Sequence, residues 1–334
     1  MISDFIQKYN LPNFRIKQFN QAFYHDLIEN WEDFFTWPKD LREKLKQEIP
    51  FSTLEIARSL TSAKKDTMKI LFKVKRLDKY IESVLMHFAD GRNTLCISCM
   101  VGCPVGCKFC ATGKLGFGGN LTSQEMIDQI MYFLRLLKKE NQKLSNIVFM
   151  GMGEPLLNLD NVWETMQIIS HPEKLAMSMR KITVSTSGYI PQFKELVERG
   201  YRGRVAVSLH FPTQEMREKY MPVAKIYQLS NLVKALEEFV ELTNKRVSFE
   251  YVMIKDLNDR QEDARALVKL FHTRLIHFNL IPYNPIKGEN FQRSSREQIE
   301  KFGEILQQNG IPYSVRLTMG DDIGAACGQL AGEK

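Results

Sequence analysis

From residue 94 onward the chain alternates between short apolar runs and amphipathic stretches, and this rhythm limits the possible folds more than any other feature. Thr94–Ser98, Asn146–Met150, Lys181–Thr186, Arg204–Leu209, Arg246–Met253 and His277–Ile281 read as strands. Between and after them, Thr122–Glu140, Asn161–Ser170, Ile190–Arg199, Ser230–Leu242, Arg260–Phe271 and Ser295–Gln308 read as helices. Thr122-Ser-Gln-Glu125 is a capping-box pattern, and Gly200 stands where a helix C-terminus needs a left-handed residue. Tyr313–Thr318 is a last extended piece. The strands are continuous apolar runs, as expected of a parallel sheet covered on both faces. Six strand–helix units fall short of the eight in a closed barrel, which predicts an α/β fold built as a partial (β/α)6 barrel, with a doubly wound open sheet as the alternative. Either fold places chemistry at the C-terminal ends of its strands.

The first 93 residues follow another pattern. Arg15–Glu29 and Lys39–Glu48 predict short amphipathic helices, punctuated by Pro12, Pro38 and Pro50. Met68–Lys75 and Tyr80–His87 alternate like the arms of a hairpin. The expected organisation is a helical accessory domain over 1–66, a β-hairpin linker over 67–93, the barrel over 94–318 and a C-terminal segment over 319–334. Lys and Arg exceed Asp and Glu by 46 to 39, a net charge of +7 that suits a polyanionic partner. No apolar run reaches the roughly 18 residues of a membrane span, and the N-terminus shows no secretory pattern. A cytoplasmic protein with no membrane association is expected.

Polar residues fall at the predicted strand ends: Met150-Gly-Met-Gly-Glu-Pro155, Ser185-Thr-Ser-Gly188, Ser208-Leu-His210 and Pro282-Tyr-Asn-Pro285. Five of the six cysteines crowd into residues 96–110, which argues for metal or redox chemistry in a reducing compartment rather than for disulfide staples. Cys103, Cys107 and Cys110 form Cys-x3-Cys-x2-Cys directly after a strand. Three thiolates on a four-iron cluster leave one iron open to a bound molecule. Two zinc knuckles, Cys96-x2-Cys99 and Cys107-x2-Cys110, are the competing reading. Their spacing is too short and leaves Cys103 unused.

These motifs, together with Gly320-Asp-Asp-Ile-Gly-Ala-Ala-Cys327-Gly-Gln-Leu-Ala-Gly332, resemble the RlmN/Cfr family of radical S-adenosylmethionine RNA methyltransferases from about Arg15 to Gly332. The resemblance implies one [4Fe-4S] cluster on Cys103, Cys107 and Cys110, and two molecules of S-adenosylmethionine per turnover. It implies cofactor contacts from Gly153, Glu154, Ser185, Ser208, Leu209, His210 and Asn284. Cys327 would accept a methyl group from the first S-adenosylmethionine. A 5′-deoxyadenosyl radical from the second would take a hydrogen from that methyl, and the resulting methylene radical would add to an adenine carbon. Glu82 would accept the ring proton. Cys96 would release the RNA adduct by forming a transient disulfide with Cys327. The implied substrates are adenosine 2503 in the peptidyl-transferase centre of 23S rRNA and tRNA next to the anticodon. The accessory domain would bind RNA, an external reductant such as flavodoxin would supply electrons, and the enzyme would be a monomer. Gly153-Glu-Pro155 and Gly320-Asp-Asp322 match the C2-methylating branch better than the Cfr-type branch, which methylates C8 and confers antibiotic resistance. Cys99 has no implied role.

Overall fold

The structure is a computed structural model that describes residues 2–271 and 275–332. Its N-terminal part holds three short helices, α1 (Ile2–Lys8), α2 (Phe14–Asn20) and α3 (Lys39–Glu48). None is long enough to be stable alone, and aromatic rings fill the space between them. Phe5 packs on Trp37, Phe19 stacks on Phe23, and Trp31 meets Phe51 edge to face. The helix predicted over 15–29 is shorter than expected. After α2 the backbone widens into a π-type turn at Gln21–His25, and Leu27 adopts a positive φ of 54° that ends it.

Three antiparallel strands follow, β1 (Leu54–Thr61), β2 (Thr67–Val74) and β3 (Lys79–His87). The pair β2–β3 is the predicted hairpin. Strand β1 lies within residues 1–66, where the sequence pattern predicts only helices. It is an edge strand whose residues are mostly exposed, and its register breaks between Ile56 and Arg58. A bulged edge strand with one buried end lacks the alternation that marks a strand.

The remaining chain runs through β4 (Asn93–Cys96), β5 (Met100–Gly102), α4 (Ala111–Lys114), β6 (Phe117–Asn120), α5 (Ser123–Lys139), β7 (Asn146–Phe149), α6 (Leu159–Ser170), β8 (Ile182–Thr186) and α7 (Ile190–Glu198). It continues through β9 (Arg204–Ser208), α8 (Gln214–Tyr220), α9 (Leu229–Thr243), β10 (Val247–Met253), α10 (Gln261–Leu270), β11 (Ile276–Pro282), α11 (Arg296–Gln308) and β12 (Tyr313–Val315). One ten-stranded sheet has the order β1-β2-β3-β4-β7-β8-β9-β10-β11-β12. Pairing is antiparallel as far as β4 and parallel from β4 to β12. Among the described residues β1 and β12 do not meet, so this is an open, partial barrel of six strand–helix units with β12 as its last rib. The parallel strands are buried on both faces, as Val205, Ala206 and Val207 illustrate. The predicted capping box of α5 is present, with Thr122 accepting from the Glu125 amide and Glu125 accepting from the Thr122 amide. Among the described residues, no helix is long and apolar enough to cross a membrane.

Candidate active site

Strands β5 and β6 form a small separate ladder, and the Cys103 amide donates to the Gly116 carbonyl at 2.8 Å. The loop that carries Cys103, Cys107 and Cys110 is therefore closed at its base. Tight turns inside it, from the Cys110 amide to the Cys107 carbonyl and from the Gly113 amide to the Cys110 carbonyl, bring the three thiols to the wall of one cavity. That cavity, of about 180 Å³, is also lined by Gly153, Glu154, Ser185, Ser208 and His210. Gly153 has a φ of +104°, and a Cβ there would stand 2.6 Å from the Cβ of Met100, so only glycine lets this turn close on β5.

Among the described residues, no three His, Cys, Asp or Glu side chains converge on the position of a single metal ion. A four-iron cluster asks for something different, because its three thiolates bind three separate irons. Three thiols spread around one cavity wall fit that demand. The zinc-knuckle pairing is not assembled. Cys99 is buried in the core and its thiol points at the Met152 carbonyl, while Cys96 lines another cavity.

The polar rim of the large cavity is tightly wired. Glu154 caps the turn that starts at Pro155, accepting from the Leu156 amide at 3.1 Å. Its other oxygen accepts from the amide and the hydroxyl of Ser187, both at 2.7 Å. Burial pushes its pKa up, and the Ser187 donors oppose that shift. A Thr186 side-chain donor opposes it as well, so Glu154 is a fully engaged acceptor. His210 follows β9 in a left-handed conformation, φ +57°. Its Nδ1 accepts from the Val252 amide at 3.1 Å, and burial first, then the Arg217 charge, lowers its pKa to about 3. The neutral ring therefore carries its proton on Nε2, as a donor. Leu209 offers only backbone, because its side chain is fully buried. Its amide and carbonyl are already bonded to Glu250 and Arg217.

A second cavity, of about 80 Å³, adjoins the first. Cys96, Val84, Met86 and Asn284 line it, whereas Cys327, Cys110 and Arg316 face both cavities. Asn284 is thus placed beside Cys327 rather than among the serines. Its Nδ2 donates to the Cys327 carbonyl at 3.0 Å, and its Oδ1 accepts from Arg293 at 2.9 Å. All six cysteines are free thiols, with Cys96 buried and Cys327 exposed. Burial, reinforced by Cys327, pushes Cys96 up to about 12, and the Arg316 charge opposes it. Glu82 lies outside both walls. It is 3% exposed, pairs with Lys69 at 2.7 Å, and accepts the Ala331 and Gly332 amides at 2.7 and 3.0 Å. It shares one face of β3 with Val84 and Met86, two and four residues on.

Four neighbours of the site are absent from the predicted set. Ser187 stands inside the quoted Ser185–Gly188 motif. Glu250 is a charged residue within an apolar strand, which is itself a signal. Arg316 follows β12 at the strand end where the barrel rule places function; it donates to Glu250 at 3.3 Å and is held charged chiefly by Cys327. Arg217, on the unpredicted helix α8, carries no such mark.

A family model described as the radical SAM superfamily matches residues 97–270. A protein of Carboxydothermus hydrogenoformans, named as a probable dual-specificity RNA methyltransferase RlmN, is 42% identical over 97% of this chain and 94% of its own length. The chain belongs to the RlmN family of radical S-adenosylmethionine methyltransferases. An RlmN-named protein of Clostridium novyi is 39% identical over 98% of this chain and 94% of its own. The crystal structure of a radical SAM methyltransferase from Sphaerobacter thermophilus superposes with a TM-score of 0.96 at 38% identity, covering 99% of this chain and 97% of that one. RlmN membership brings with it an iron–sulfur cluster and S-adenosylmethionine, and the three thiols Cys103, Cys107 and Cys110 on the large cavity's wall fit that cluster.

Proposed function

We propose that the chain methylates C2 of an adenosine in RNA, adenosine 2503 of 23S rRNA and an adenosine of tRNA, by a ping-pong route through methyl-Cys327. One observation carries the reading: Cys327 stands on the wall shared by the thiol-lined cavity and the cavity that holds Cys96. A thiol there reaches a cofactor on one side and a resolving thiol and substrate on the other.

In the first half-reaction the Cys327 sulfur attacks the methyl carbon of S-adenosylmethionine, which forms methyl-Cys327 and releases S-adenosylhomocysteine. Asn284 fixes the Cys327 backbone, and the Arg316 guanidinium stands on the same shared wall. When bound, the [4Fe-4S] cluster supplies the electron that cleaves a second S-adenosylmethionine to the 5′-deoxyadenosyl radical. Cys103, Cys107 and Cys110 hold that cluster. Gly153, Glu154, Ser185, Ser208, the Leu209 backbone and the His210 Nε2–H orient the cofactor. The Cys327 methyl gives up a hydrogen, and its carbon joins the adenine ring. Glu82 takes the ring proton once residues 331–332 lift from its carboxylate, and the electron left on the ring would return to the cluster. Cys96 then attacks the Cys327 sulfur and frees the methylated base. An external reductant of the flavodoxin kind supplies the cluster's electrons, and a thiol reductant reopens the Cys96–Cys327 bond.

The test is nucleoside analysis of ribosomal and transfer RNA after anaerobic incubation with reconstituted enzyme. 2-Methyladenosine is expected. 8-Methyladenosine selects the Cfr-type reaction instead, and neither product, with methyl-Cys327 also absent by mass spectrometry, overturns the reading.

A further inference from the structure

Arg217 is an unusual charge. It lies on α8, is 1% exposed, and belongs to neither cavity wall. Its Nη1 donates to the Ser208 and Leu209 carbonyls, and its Nη2 donates to the Ser187 carbonyl at 3.0 Å. Its Nε has no partner. Among the described residues, no carboxylate forms an ion pair with it. A buried guanidinium bonded only to neutral carbonyls is costly, because removing an ion from water is repaid only by an opposite charge. Tying strand ends together needs donors, not a net charge.

The missing negative charge lies toward the cysteine loop. The Lys108 amide, next to Cys107, donates to the Tyr220 carbonyl at 3.0 Å, which bolts the loop to α8 one turn beyond Arg217. Gly106 sits against Pro222 at the same junction. Burial lowers the Arg217 pKa to about 10, and Cys107, on the loop held by that junction, opposes the shift.

We propose that Arg217 is the buried counter-charge of the cluster, a positioning residue that raises the cluster's reduction potential without touching cluster or substrate. The inference rests on the reading of Cys103, Cys107 and Cys110 as cluster ligands. A four-iron core of charge +2 with three thiolates carries −1, and one-electron reduction takes it to −2. A fixed cation in a low-dielectric surrounding stabilises the more negative state, so reduction becomes easier. Arg217 also holds the carbonyls of Ser187, Ser208 and Leu209, so the same side chain couples the cofactor rim to the redox centre.

The test compares wild type, Arg217→Gln and Arg217→Lys after anaerobic reconstitution, by EPR-monitored redox titration with iron content and melting temperature alongside. Arg217→Gln is expected to show about a tenfold lower ratio of reduced to oxidised cluster at a fixed potential, which is about 59 mV for one electron. Arg217→Lys keeps the charge and is expected to keep the potential, with a lower melting temperature from its lost carbonyl bonds. A fully loaded Gln variant with wild-type potential overturns the proposal. Should Gln fail to load iron, a tenfold loss of reduced cluster in the Lys variant overturns it. Wild-type protein that takes up no iron defeats the cluster reading itself, which separates the two failures.

Discussion

His210 combines two costs in one residue, a left-handed backbone and a buried imidazole, and both are met by neighbours that also build the polar rim of the large cavity. Its amide and that of Leu209 share the Glu250 carbonyl, the Val252 amide fills Nδ1, and Phe109 meets the ring edge at 4.8 Å. The folded pKa of about 3 lies below the unfolded value near 6.5. The unfolded chain therefore binds the extra proton, and stability falls as pH drops from about 6.5 toward 3. Between pH 7 and pH 5 the linkage is worth about 2 kcal/mol. Urea midpoints of wild type and His210→Gln should converge by that amount over this interval; parallel curves would refute the buried neutral ring. The thiols give a second prediction at this scale. Cys96→Ala should still form methyl-Cys327 but stall with RNA covalently attached, seen as a nuclease-sensitive band in a denaturing gel. Cys327→Ala should form neither methyl-cysteine nor adduct. A free methylated product from either variant would rule out the ping-pong route. The thiols and serines were legible in sequence because motifs on strand ends mark them. Arg217 and Arg316 were not, because what distinguishes them is burial among carbonyls or between thiols, which no spacing encodes.

At the scale of elements, β4 and the strand–helix units after it were readable because each strand is apolar on both faces and each helix has one apolar stripe. The elements that escaped are those held by something other than side-chain pattern. Strand β1 exists because β2 offers it a ladder. β5 and β6 are a ladder of backbone around Gly116, Gly118 and Gly119. α8 is two turns between the Thr213 cap and Pro222. The C-terminal segment belongs with these, since backbone groups dock it. Glu82 receives the Ala331 and Gly332 amides, Thr112 donates to the Leu330 carbonyl at 2.6 Å, and the Ala111 amide donates to the Gly328 carbonyl at 2.8 Å. Lys69 bridges Glu82 and the Gly324 carbonyl. Removing one partner from a buried ion pair typically costs about 3 kcal/mol or more. Glu82→Ala is therefore expected to lower the urea-unfolding free energy by about 3 kcal/mol, and to raise hydrogen exchange at Ala331 and Gly332 above that of wild type. Unchanged exchange there would show that the segment is docked by other means. The same clamp ties the proposed base to the proposed methyl carrier: while the segment is down, both oxygens of Glu82 are engaged, one by Lys69 and the other by the two amides.

For the molecule as a whole, the net charge of +7 has to be placed before it explains anything. The turn between β1 and β2 carries exposed Lys64 and Lys65, and beside them the Ala63 amide donates to Asp322 at 2.8 Å. The hairpin tip thus rests on the segment that carries Cys327, which is the ground for testing its two ammonium groups as phosphate contacts. Cations that neutralise phosphates release counterions, so each contact steepens the fall of log K with log salt by about 0.7 on single-stranded RNA. Lys64→Gln combined with Lys65→Gln should weaken RNA binding and reduce that slope by about 1.4, measured by fluorescence anisotropy across a salt series. The half-reaction that needs no RNA, methyl transfer to Cys327, should run at the wild-type rate. A slope unchanged by the double substitution would move the RNA path away from the hairpin tip. A slower methyl transfer would mean that the tip acts on the C-terminal segment through Ala63 and Asp322 instead of on the nucleic acid.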